Sequence, residues 1–334
     1  MKLGIITITL GGEKLAAQLV DKLENGTLLR REGKIFSTIK ANWQLYDGFI
    51  FIMASGIAVR AIAPLLCDKA LDPCIIVMDE KGRHVISLLS GHIGGGNELA
   101  INIAQLTGGT PIITTASDTL QLVALDLWLK KQNLVAEDKM QLTASSAQLV
   151  NQGYLNIYSD IAVEELPVGL RQTKELKNAD IVISSSANMP QALTIFRPRN
   201  LVIGTGCNRG TPTEEFEEAL TELLEELKLS RLSIRNLASI DKKSDEDGLL
   251  TFAAKNHWTI DFYNSDTINT RNNLEISFAA LKAVGAIGVA EPTALLSAGS
   301  NLLLSRKRKW KNITMAIAQV PFSLSAQVRD QSSI

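Results

Sequence analysis

The sequence predicts an α/β protein in which two three-layer α/β domains are joined by a small middle subdomain. Short apolar runs such as Gly48–Ala54 alternate with amphipathic segments, a pattern typical of strands buried between two layers of helices. This β-then-α alternation restarts after about residue 200. A chain of 334 residues is also long for a single domain. We therefore predict domains at residues 1–132, 133–199 and 200–322.

The first region alternates strands with helices. Its polar turn Asp79–Gly82 joins two apolar runs and predicts a β-hairpin. The glycine pair after Thr107 ends a helix, because glycine adopts the C-cap conformation without steric cost. The predicted strands are Leu3–Thr9, Gly48–Ala54, Cys74–Met78, His84–Leu89 and Pro111–Thr115. The predicted helices are Gly12–Glu24, Ile57–Leu66, Asn97–Thr107 and Asp118–Gln132.

The pattern weakens in the middle region and returns in the last. Between residues 133 and 199 we predict a helix at Ala144–Asn151 and strands at Tyr154–Tyr158 and Asp180–Ser184. In the last region, Thr211 with Pro212 and Glu214 predicts a helix start closed by a capping box. The other strands expected there are Leu201–Gly204, Ser233–Ala238, Thr259–Phe262, Leu302–Leu304 and Thr314–Ala318, and the helices are Asp245–Lys255, Ser277–Val284 and Pro292–Ala298.

Composition and charge narrow the functional classes. The formal net charge is −1, whereas nucleic-acid-binding proteins usually carry a basic excess. The basic run Arg306–Lys311 is interpreted as a solvated turn between strands, with a small anion-binding patch as the alternative. The three cysteines form no disulfide framework and favour a reducing compartment. We expect no signal peptide and no membrane span, and therefore a cytoplasmic protein that binds neither nucleic acid nor membrane.

Three loops that follow a strand and precede a helix carry the candidate chemistry, because open α/β sheets bind ligands at such positions. The first loop is Ser55–Arg60. Gly56 permits a sharp turn there, the helix start offers free N–H groups to an anion, and Arg60 adds a positive charge. A plain strand-to-helix turn with an exposed Arg60 explains the same residues equally well.

The second loop, Ser90–Glu98, contains four glycines, which a purely structural loop rarely uses because each loses much entropy on folding. Close approach of a ligand to the backbone explains them better. His92 lies within this loop and can exchange a proton near neutral pH. Asn97 is a candidate helix cap, and Glu98 either interacts with the helix dipole or activates water. The run matches neither the dinucleotide fingerprint nor a P-loop.

The third loop, Gly204–Gly210, has the same arrangement, and Arg209 can form paired hydrogen bonds with a carboxylate. Cys207 is interpreted as a small buried cysteine rather than a nucleophile, since no histidine is near it in sequence. Asp118 is a further candidate, with a helix cap as the alternative role. The histidines and cysteines lack zinc-ligand spacing, so no metal site is predicted.

Taken in order, these segments resemble the CbiG family of cobalamin biosynthesis. The resemblance covers most of the chain, although the middle region adds nothing to it. Each segment alone is a weak match, whereas the ordered set is specific. It rests on Ser55–Arg60, Gly82–Asp118, Gly204–Gly210, Ala238–Lys243 and Gly288–Pro292.

The resemblance implies a hydrolase. Members of this family open the δ-lactone of cobalt-precorrin-5A and expel acetaldehyde, which gives cobalt-precorrin-5B during corrin ring contraction in the anaerobic pathway. The cobalt belongs to the tetrapyrrole substrate, and no further cofactor is expected. Transient contact with the neighbouring methyltransferases of the pathway is left open.

Within this interpretation, His92 is the candidate general base with Glu98 in support, and the backbone N–H groups of Gly94–Asn97 are candidate donors to the oxyanion. Glycine-rich helix N-termini and basic side chains are expected to hold the substrate's carboxylates. The predicted substrate-binding residues are Ser55, Gly56, Arg60, Ser90, Gly91, Gly94, Gly95, Gly96, Asn97, Thr115, Asp118, Gly204, Gly206, Asn208, Arg209, Asp241, Lys242 and Glu291.

Two other functions fit the same residues. A non-catalytic carrier of tetrapyrrole intermediates would use the same loops but would release no acetaldehyde. A nucleotide-dependent enzyme would suit a doubly wound sheet, although the phosphate-binding lysine and the ribose-binding pattern are missing. Stabilisation by nucleotides in a thermal-shift experiment would favour that second alternative.

Overall fold

The computed structural model describes residues 1–30, 33–68, 71–271 and 274–326 and confirms the α/β class. The chain forms two compact units, Met1–Trp128 and a second from Leu129 onward. Within the described residues, none of the helices combines the length and the apolar character needed to cross a membrane. The three-domain division at residues 132 and 199 stays a prediction.

The first unit contains a six-stranded sheet with helices on both faces. The strand order is β2-β1-β3-β4-β5-β6. The strands are β1 (Leu3–Thr7), β2 (Gly26–Leu28), β3 (Gly48–Ile52), β4 (Cys74–Met78), β5 (His84–Leu89) and β6 (Thr110–Ile112). The helices are α1 (Leu10–Lys22), α2 (Ile35–Asn42), α3 (Ser55–Ile62), α4 (Gly96–Thr107) and α5 (Ala116–Thr119), and α6 (Leu125–Lys131) begins in this unit and ends in the second.

Two apolar layers hold this sheet, as the continuous apolar runs predict. Strands β3 and β4 are buried along their whole length, because both of their faces are covered. Residues such as Ile50 and Ile76 pack against α1 and α4 on one face. Their neighbours Phe49 and Ile75 point the opposite way and pack against α2 and α3. This alternation gives the predicted three-layer arrangement.

The hairpin between β4 and β5 decides where the loops of this unit lie. All strand pairs of the sheet are parallel except β4 with β5. Because β5 runs against β4, its carboxyl end lies at the edge where β1, β3 and β4 begin. The loops Ser55–Arg60 and Ser90–Glu98 therefore lie at opposite edges of the sheet. Strands of five residues separate these edges by on the order of 16 Å.

The second unit contains two five-stranded sheets and a two-stranded one. The strands are β7 (Leu134–Ala136), β8 (Leu155–Ser159), β9 (Ala162–Val163), β10 (Leu170–Gln172), β11 (Ile181–Ile183), β12 (Thr194–Pro198), β13 (Leu201–Cys207), β14 (Ile234–Ile240), β15 (Ile260–Tyr263), β16 (Leu303–Lys309), β17 (Ile313–Gln319) and β18 (Ser323–Leu324). The helices are α7 (Lys139–Gln152), α8 (Thr213–Leu227), α9 (Asp247–Lys255), α10 (Ser265–Asn269), α11 (Phe278–Val284) and α12 (Ala290–Ala298).

The two larger sheets of this unit contain both parallel and antiparallel strand pairs. One has the order β10-β8-β11-β12-β7, in which β7 alone is antiparallel to its neighbour. The other has the order β15-β14-β13-β17-β16, and β13, β14 and β15 are parallel. Helices α8 and α9 pack on one face of that sheet, and α12 packs on the opposite face. At the carboxyl end of β13, α8 therefore lies on one face of the sheet and α12 on the other.

Several local predictions are wrong. The helix expected at Asp118–Gln132 is two helices, α5 and α6, because the chain turns at Gln121, whose φ is +55°. Residues Thr205–Cys207 are not a loop, since they continue β13 and pair with β17. The middle region holds more strands than the two predicted. Most of the additional strands were not predicted because they are only two or three residues long.

Two predictions about polar residues of the second unit are also wrong. Pro212 is the N-cap of α8, and no side chain caps that helix. The Thr211 hydroxyl instead donates to the Asn208 carbonyl at 2.8 Å, so no capping box forms. Most of the basic run Arg306–Lys311 lies in strand β16 rather than in a turn.

Candidate active site around His92

The loop between β5 and α4 is folded by its own hydrogen bonds. The Gly95 N–H donates to the His92 carbonyl at 2.8 Å, and the Asn97 N–H donates to the Gly91 carbonyl at 2.9 Å. The Gly96 N–H donates to the Ser90 carbonyl at 3.2 Å. Ser90 has a φ of +53°, a left-handed conformation that is uncommon for a residue with a side chain and often marks a functional site.

Neighbouring atoms explain two of the glycines in this loop. A Cβ at position 91 would lie 2.4 Å from Asn97 Oδ1. A Cβ at position 94 would lie 2.6 Å from both the carbonyl oxygen and the Cβ of Ser90. Both contacts are closer than real Cβ atoms tolerate, and the one at Gly94 is partly with backbone. These glycines therefore serve the packing of the loop on itself, which the sequence alone did not separate from ligand approach.

His92 is the centre of a polar cluster that α5 and α6 complete. Its Nε2 lies 2.9 Å from Asp118 Oδ2 and 3.2 Å from Ser117 Oγ. Its Nδ1 lies 3.6 Å from Asp126 Oδ1. The His92 side chain keeps 19% of its surface exposed, so it is held in place but still reachable. Because a carboxylate only accepts hydrogen bonds, Asp118 favours the tautomer with its proton on Nε2, and Nδ1 of the neutral ring keeps the lone pair that a general base needs.

Asn97 joins this cluster instead of capping the helix. Its Nδ2 donates to Asp118 Oδ2 at 3.0 Å and to Thr115 Oγ1 at 3.1 Å. The N-cap of α4 is Gly95, and no side chain caps that helix, so the predicted cap is wrong. Asp118 is no cap either, since it lies inside α5. The cluster thus brings together four predicted residues, namely His92, Asn97, Thr115 and Asp118.

The geometry gives little support to the roles predicted for Glu98 and for the backbone N–H groups of Gly94–Asn97. Glu98 is exposed, and among the described residues no contact joins its carboxylate to His92. The N–H groups of Gly95, Gly96 and Asn97 already donate within the loop, which contradicts their predicted role toward an oxyanion. Across the part of the chain that the structure describes, the Gly94 N–H has no such acceptor.

Residues Ser55–Arg60, predicted as a loop, form the first turns of α3 and lie apart from this cluster. Arg60 NH1 donates to the Gly56 carbonyl at 2.9 Å, and both residues are exposed. Ser55 lines a separate cavity of about 610 Å³ between the ends of β1 and β3, together with Thr9 and Met53. Ser55, Gly56 and Arg60 therefore cannot contact the group that His92 contacts, although they remain candidates for a more distant part of a large substrate.

The third loop separates into packing residues and cavity residues. A Cβ on Gly204 would lie 1.9 Å from the Ala290 carbonyl, so this glycine lets α12 pack against β13. Arg209 lies near Asp245, at 2.5 Å from NH1 to Oδ1, and donates to the Lys242 carbonyl. The Lys242 ammonium donates to the Val284 carbonyl at 3.0 Å.

Three other predicted residues of the second unit line one cavity of about 520 Å³. These are Gly206, Asn208 and Glu291. Cys207 lines it too, and burial raises the pKa of its thiol to about 11, which agrees with a neutral cysteine rather than a nucleophile. Asp241, in the turn after β14, does not line this cavity.

Sequence reasoning missed two members of the His92 cluster. Asp126 was not singled out, because it fell inside the single helix expected at Asp118–Gln132, and Ser117, which directly precedes that helix, was given no role. Ser117 directly precedes Asp118 in the run Thr114–Asp118, which was a signal available in the sequence. Asp126 lies beyond the turn at Gln121, and no motif indicated it.

Two regions of this chain match models of one protein family, in the order N-terminal region and then C-terminal region. Residues 37–118 match the family model "Cobalamin synthesis G N-terminal", and residues 201–318 match "Cobalamin synthesis G C-terminus". The cobalt-precorrin-5A hydrolase of Priestia megaterium is 32% identical over 95% of this chain and 95% of its own. That of Salmonella typhimurium is 30% identical over 95% of this chain and 97% of its own.

A solved structure, of a cobalamin biosynthesis protein G homolog from Sulfolobus solfataricus, is 23% identical, with a TM-score of 0.40 over 96% of this chain and 97% of that one. The two family models together cover more than half of the sequence, and the hydrolase relatives match it over nearly its whole length. The chain therefore belongs to the CbiG family of cobalamin synthesis proteins.

Proposed function

We propose that this protein is a cobalt-precorrin-5A hydrolase, which opens the δ-lactone of its substrate and releases acetaldehyde to give cobalt-precorrin-5B. Two relatives with that name match 95% of the chain at 32% and 30% identity. The observation that carries the proposal is the His92 cluster, in which a partly exposed imidazole lies 2.9 Å from a carboxylate.

His92 is the general base in the first step. Its ring takes a proton from water, the resulting hydroxide attacks the lactone carbonyl carbon, and the bond from that carbon to the ring oxygen breaks. The carboxylates of Asp118 and Asp126 stabilise the imidazolium that forms. The proton then passes to the departing oxygen, which becomes a hydroxyl. Glu98 stays a predicted helper, acting from the exposed first turn of α4.

The second step breaks a carbon–carbon bond. The new hydroxyl loses its proton, and its oxygen forms a double bond to the carbon that bears it, which becomes the carbonyl carbon of acetaldehyde. The bond between this carbon and the macrocycle breaks at the same time. The electron pair of that bond passes to the macrocycle and its cobalt. The same imidazole is free to accept this second proton, because it returned the first to the leaving oxygen.

The test is anaerobic incubation of purified full-length protein with cobalt-precorrin-5A, with acetaldehyde as the readout. We expect enzyme-dependent acetaldehyde, and His92→Ala should lower turnover by about 10²- to 10⁴-fold, the usual contribution of acid–base catalysis. His257→Asn is the matched control, because His257 is exposed, lines none of the cavities described here and has a φ of +55°, which asparagine tolerates. Substrate binding without acetaldehyde would contradict the hydrolase and favour the carrier.

A further inference from the structure

The two ring nitrogens of His92 meet their neighbouring aspartates in different ways. Nε2 lies 2.9 Å from Asp118 Oδ2, which is a normal hydrogen-bond distance, whereas Nδ1 lies 3.6 Å from Asp126 Oδ1, which is too far for one. A direct bond between an imidazolium and a carboxylate would measure about 2.7–2.9 Å. Asp126 therefore lies beside the ring without holding it directly.

Asn97 indicates which nitrogen of the neutral ring carries the proton. Its Nδ2 donates to Asp118 Oδ2 at 3.0 Å, so that oxygen is an acceptor. The contact between Asp118 and His92 is then a hydrogen bond only if Nε2 donates it. Nδ1 keeps its lone pair, and within the described residues no N–H or O–H group donates to it.

Asp126 presents a second acceptor to the same space. Its Oδ1 accepts the Leu127 N–H at 2.9 Å, which fixes the carboxylate at the start of α6 and leaves it further lone pairs. Two acceptors that face each other at 3.6 Å repel unless a donor bridges them. A water molecule suits this spacing, because it can donate one hydrogen to each acceptor over about 2.8 Å. The side chains of His92 and Asp126 are 19% and 22% exposed, so water reaches both.

We propose that Asp126 is a catalytic residue, which binds the attacking water together with His92 Nδ1. The water donates one hydrogen to Nδ1 and the other to Asp126 Oδ1, so that its oxygen lone pairs face the lactone. This inference rests on the proposed function, because it names the two groups that orient the nucleophile of that reaction. His92, Asn97, Asp118 and Asp126 all belong to the first unit, so the water site is defined within that unit alone.

The two acceptors divide the two hydrogens of the water between them. The hydrogen that points to Nδ1 moves to the ring, while the water oxygen forms a bond to the lactone carbonyl carbon. The bond from that carbon to the ring oxygen of the lactone then breaks, and the proton on Nδ1 passes to this departing oxygen. The second hydrogen stays on the new carboxylic acid group. Asp126 thus orients the water and takes no proton itself.

Two replacements of Asp126 separate this role from a role of its charge alone. Asp126→Asn removes the charge but keeps an oxygen that accepts from water, so kcat should fall by no more than about threefold. Asp126→Leu removes both the charge and the acceptor, so kcat should fall about tenfold or more below that of Asp126→Asn. KM should stay within about twofold in both, because Asp126 contacts the water and not the substrate. Equal kcat values in the two variants would overturn the proposal.

Asp266→Leu is the matched control for the loss of a carboxylate. Asp266 is exposed, lies in the first turn of another short helix, α10, and lines none of the cavities described here. Anaerobic acetaldehyde release by the full chain measures all three variants, and circular dichroism checks their folding. The control should keep kcat within about twofold. A loss in Asp266→Leu equal to that in Asp126→Leu would overturn the assignment to the water site.

Two measurements on the unaltered full chain need no turnover and decide the proposal even if Asp126→Leu fails to fold. Nitrogen-15 NMR of the His92 ring should show a proton on Nε2 and none on Nδ1 near neutral pH. A high-resolution crystal structure should show an ordered water within about 2.6–3.2 Å of both Nδ1 and Asp126 Oδ1. A proton on Nδ1, or a direct bond from Nδ1 to Asp126, would overturn the proposal. The ordered water without any release of acetaldehyde would support the water site and contradict the hydrolase.

Discussion

His92 Nε2 and Asp118 Oδ2 lie 2.9 Å apart although 26 positions separate them in the chain. The contact exists because β5 and β6 are parallel neighbours, so the loops after both strands meet at one edge. Asn97 Nδ2 donates to the same carboxylate oxygen and fixes its position. The pair is thus a product of the β5-α4-β6 unit, and its geometry leads to the first prediction.

Replacing Asp118 by asparagine should lower kcat by roughly tenfold or more with little change in KM, because the imidazolium loses its nearest carboxylate. Asp126→Asn should have a smaller effect, since Asp126 Oδ1 is 3.6 Å from Nδ1. Steady-state acetaldehyde release measures both. Equal activity of Asp118→Asn and the unaltered protein would contradict the role given to this pair.

Gly94→Ala should destabilise the first unit by about 1–3 kcal/mol, the usual range for overpacking. The added Cβ would meet the Ser90 carbonyl at 2.6 Å and force apart the loop that carries His92. Gly56→Ala is the control, because its Cβ would meet only the end of the Arg60 side chain, at 3.2 Å. Urea denaturation measures both variants. A Gly94→Ala protein as stable as Gly56→Ala would show that the loop relaxes freely.

Cys207 should resist alkylation near neutral pH while the exposed Cys67 reacts. Burial raises the pKa of Cys207 to about 11, so only about one thousandth of it is thiolate at pH 8. The rate at which iodoacetamide labels Cys207 should rise about tenfold with each unit of pH increase until the pH reaches that pKa. Mass spectrometry of the labelled peptides reads this directly. Fast labelling at pH 7, or loss of turnover in Cys207→Ala, would revive the nucleophile.

Arg197→Met should destabilise the second unit by about 3–5 kcal/mol, because it leaves the partners of a buried cation unpaired. The Arg197 side chain is 1% exposed, lies 2.6 Å from Glu137 Oε2 and donates to the carbonyls of Ser184 and Ser186. Chemical denaturation followed by circular dichroism is the measurement. The double variant with Glu137→Gln should recover part of the loss, and a single variant of unchanged stability would contradict the prediction.

The fold class and most long elements were predictable because their signals are local. The buried runs of β3 and β4, the turn Asp79–Gly82 and the left-handed C-cap at Gly108 lie where the sequence places them. The short strands of the middle region were missed, because a run of three residues carries no measurable period. The capping box predicted at Thr211 does not form, because the Thr211 hydroxyl donates to the Asn208 carbonyl of its own loop and does not accept from a helix N–H.

The candidate site was predictable only in part. The glycines and His92 are adjacent in sequence, so their pattern was visible. The partners of His92 depend on strand pairing and on the turn at Gln121, neither of which a motif records. The opposite placement of the Ser55 and His92 segments was not predicted, because it depends on the strand order as well as on the hairpin.

The length of the hairpin turn Asp79–Gly82 also affects the position of the His92 loop, because β5 connects the two. One residue inserted there would shift β5 by one position against β4 and turn the buried Val85 toward the opposite layer. To restore Val85, the strand would have to slide, and the loop at its far end would move with it by about 3 Å. The length of a four-residue turn at one edge therefore sets the alignment of an imidazole at the other.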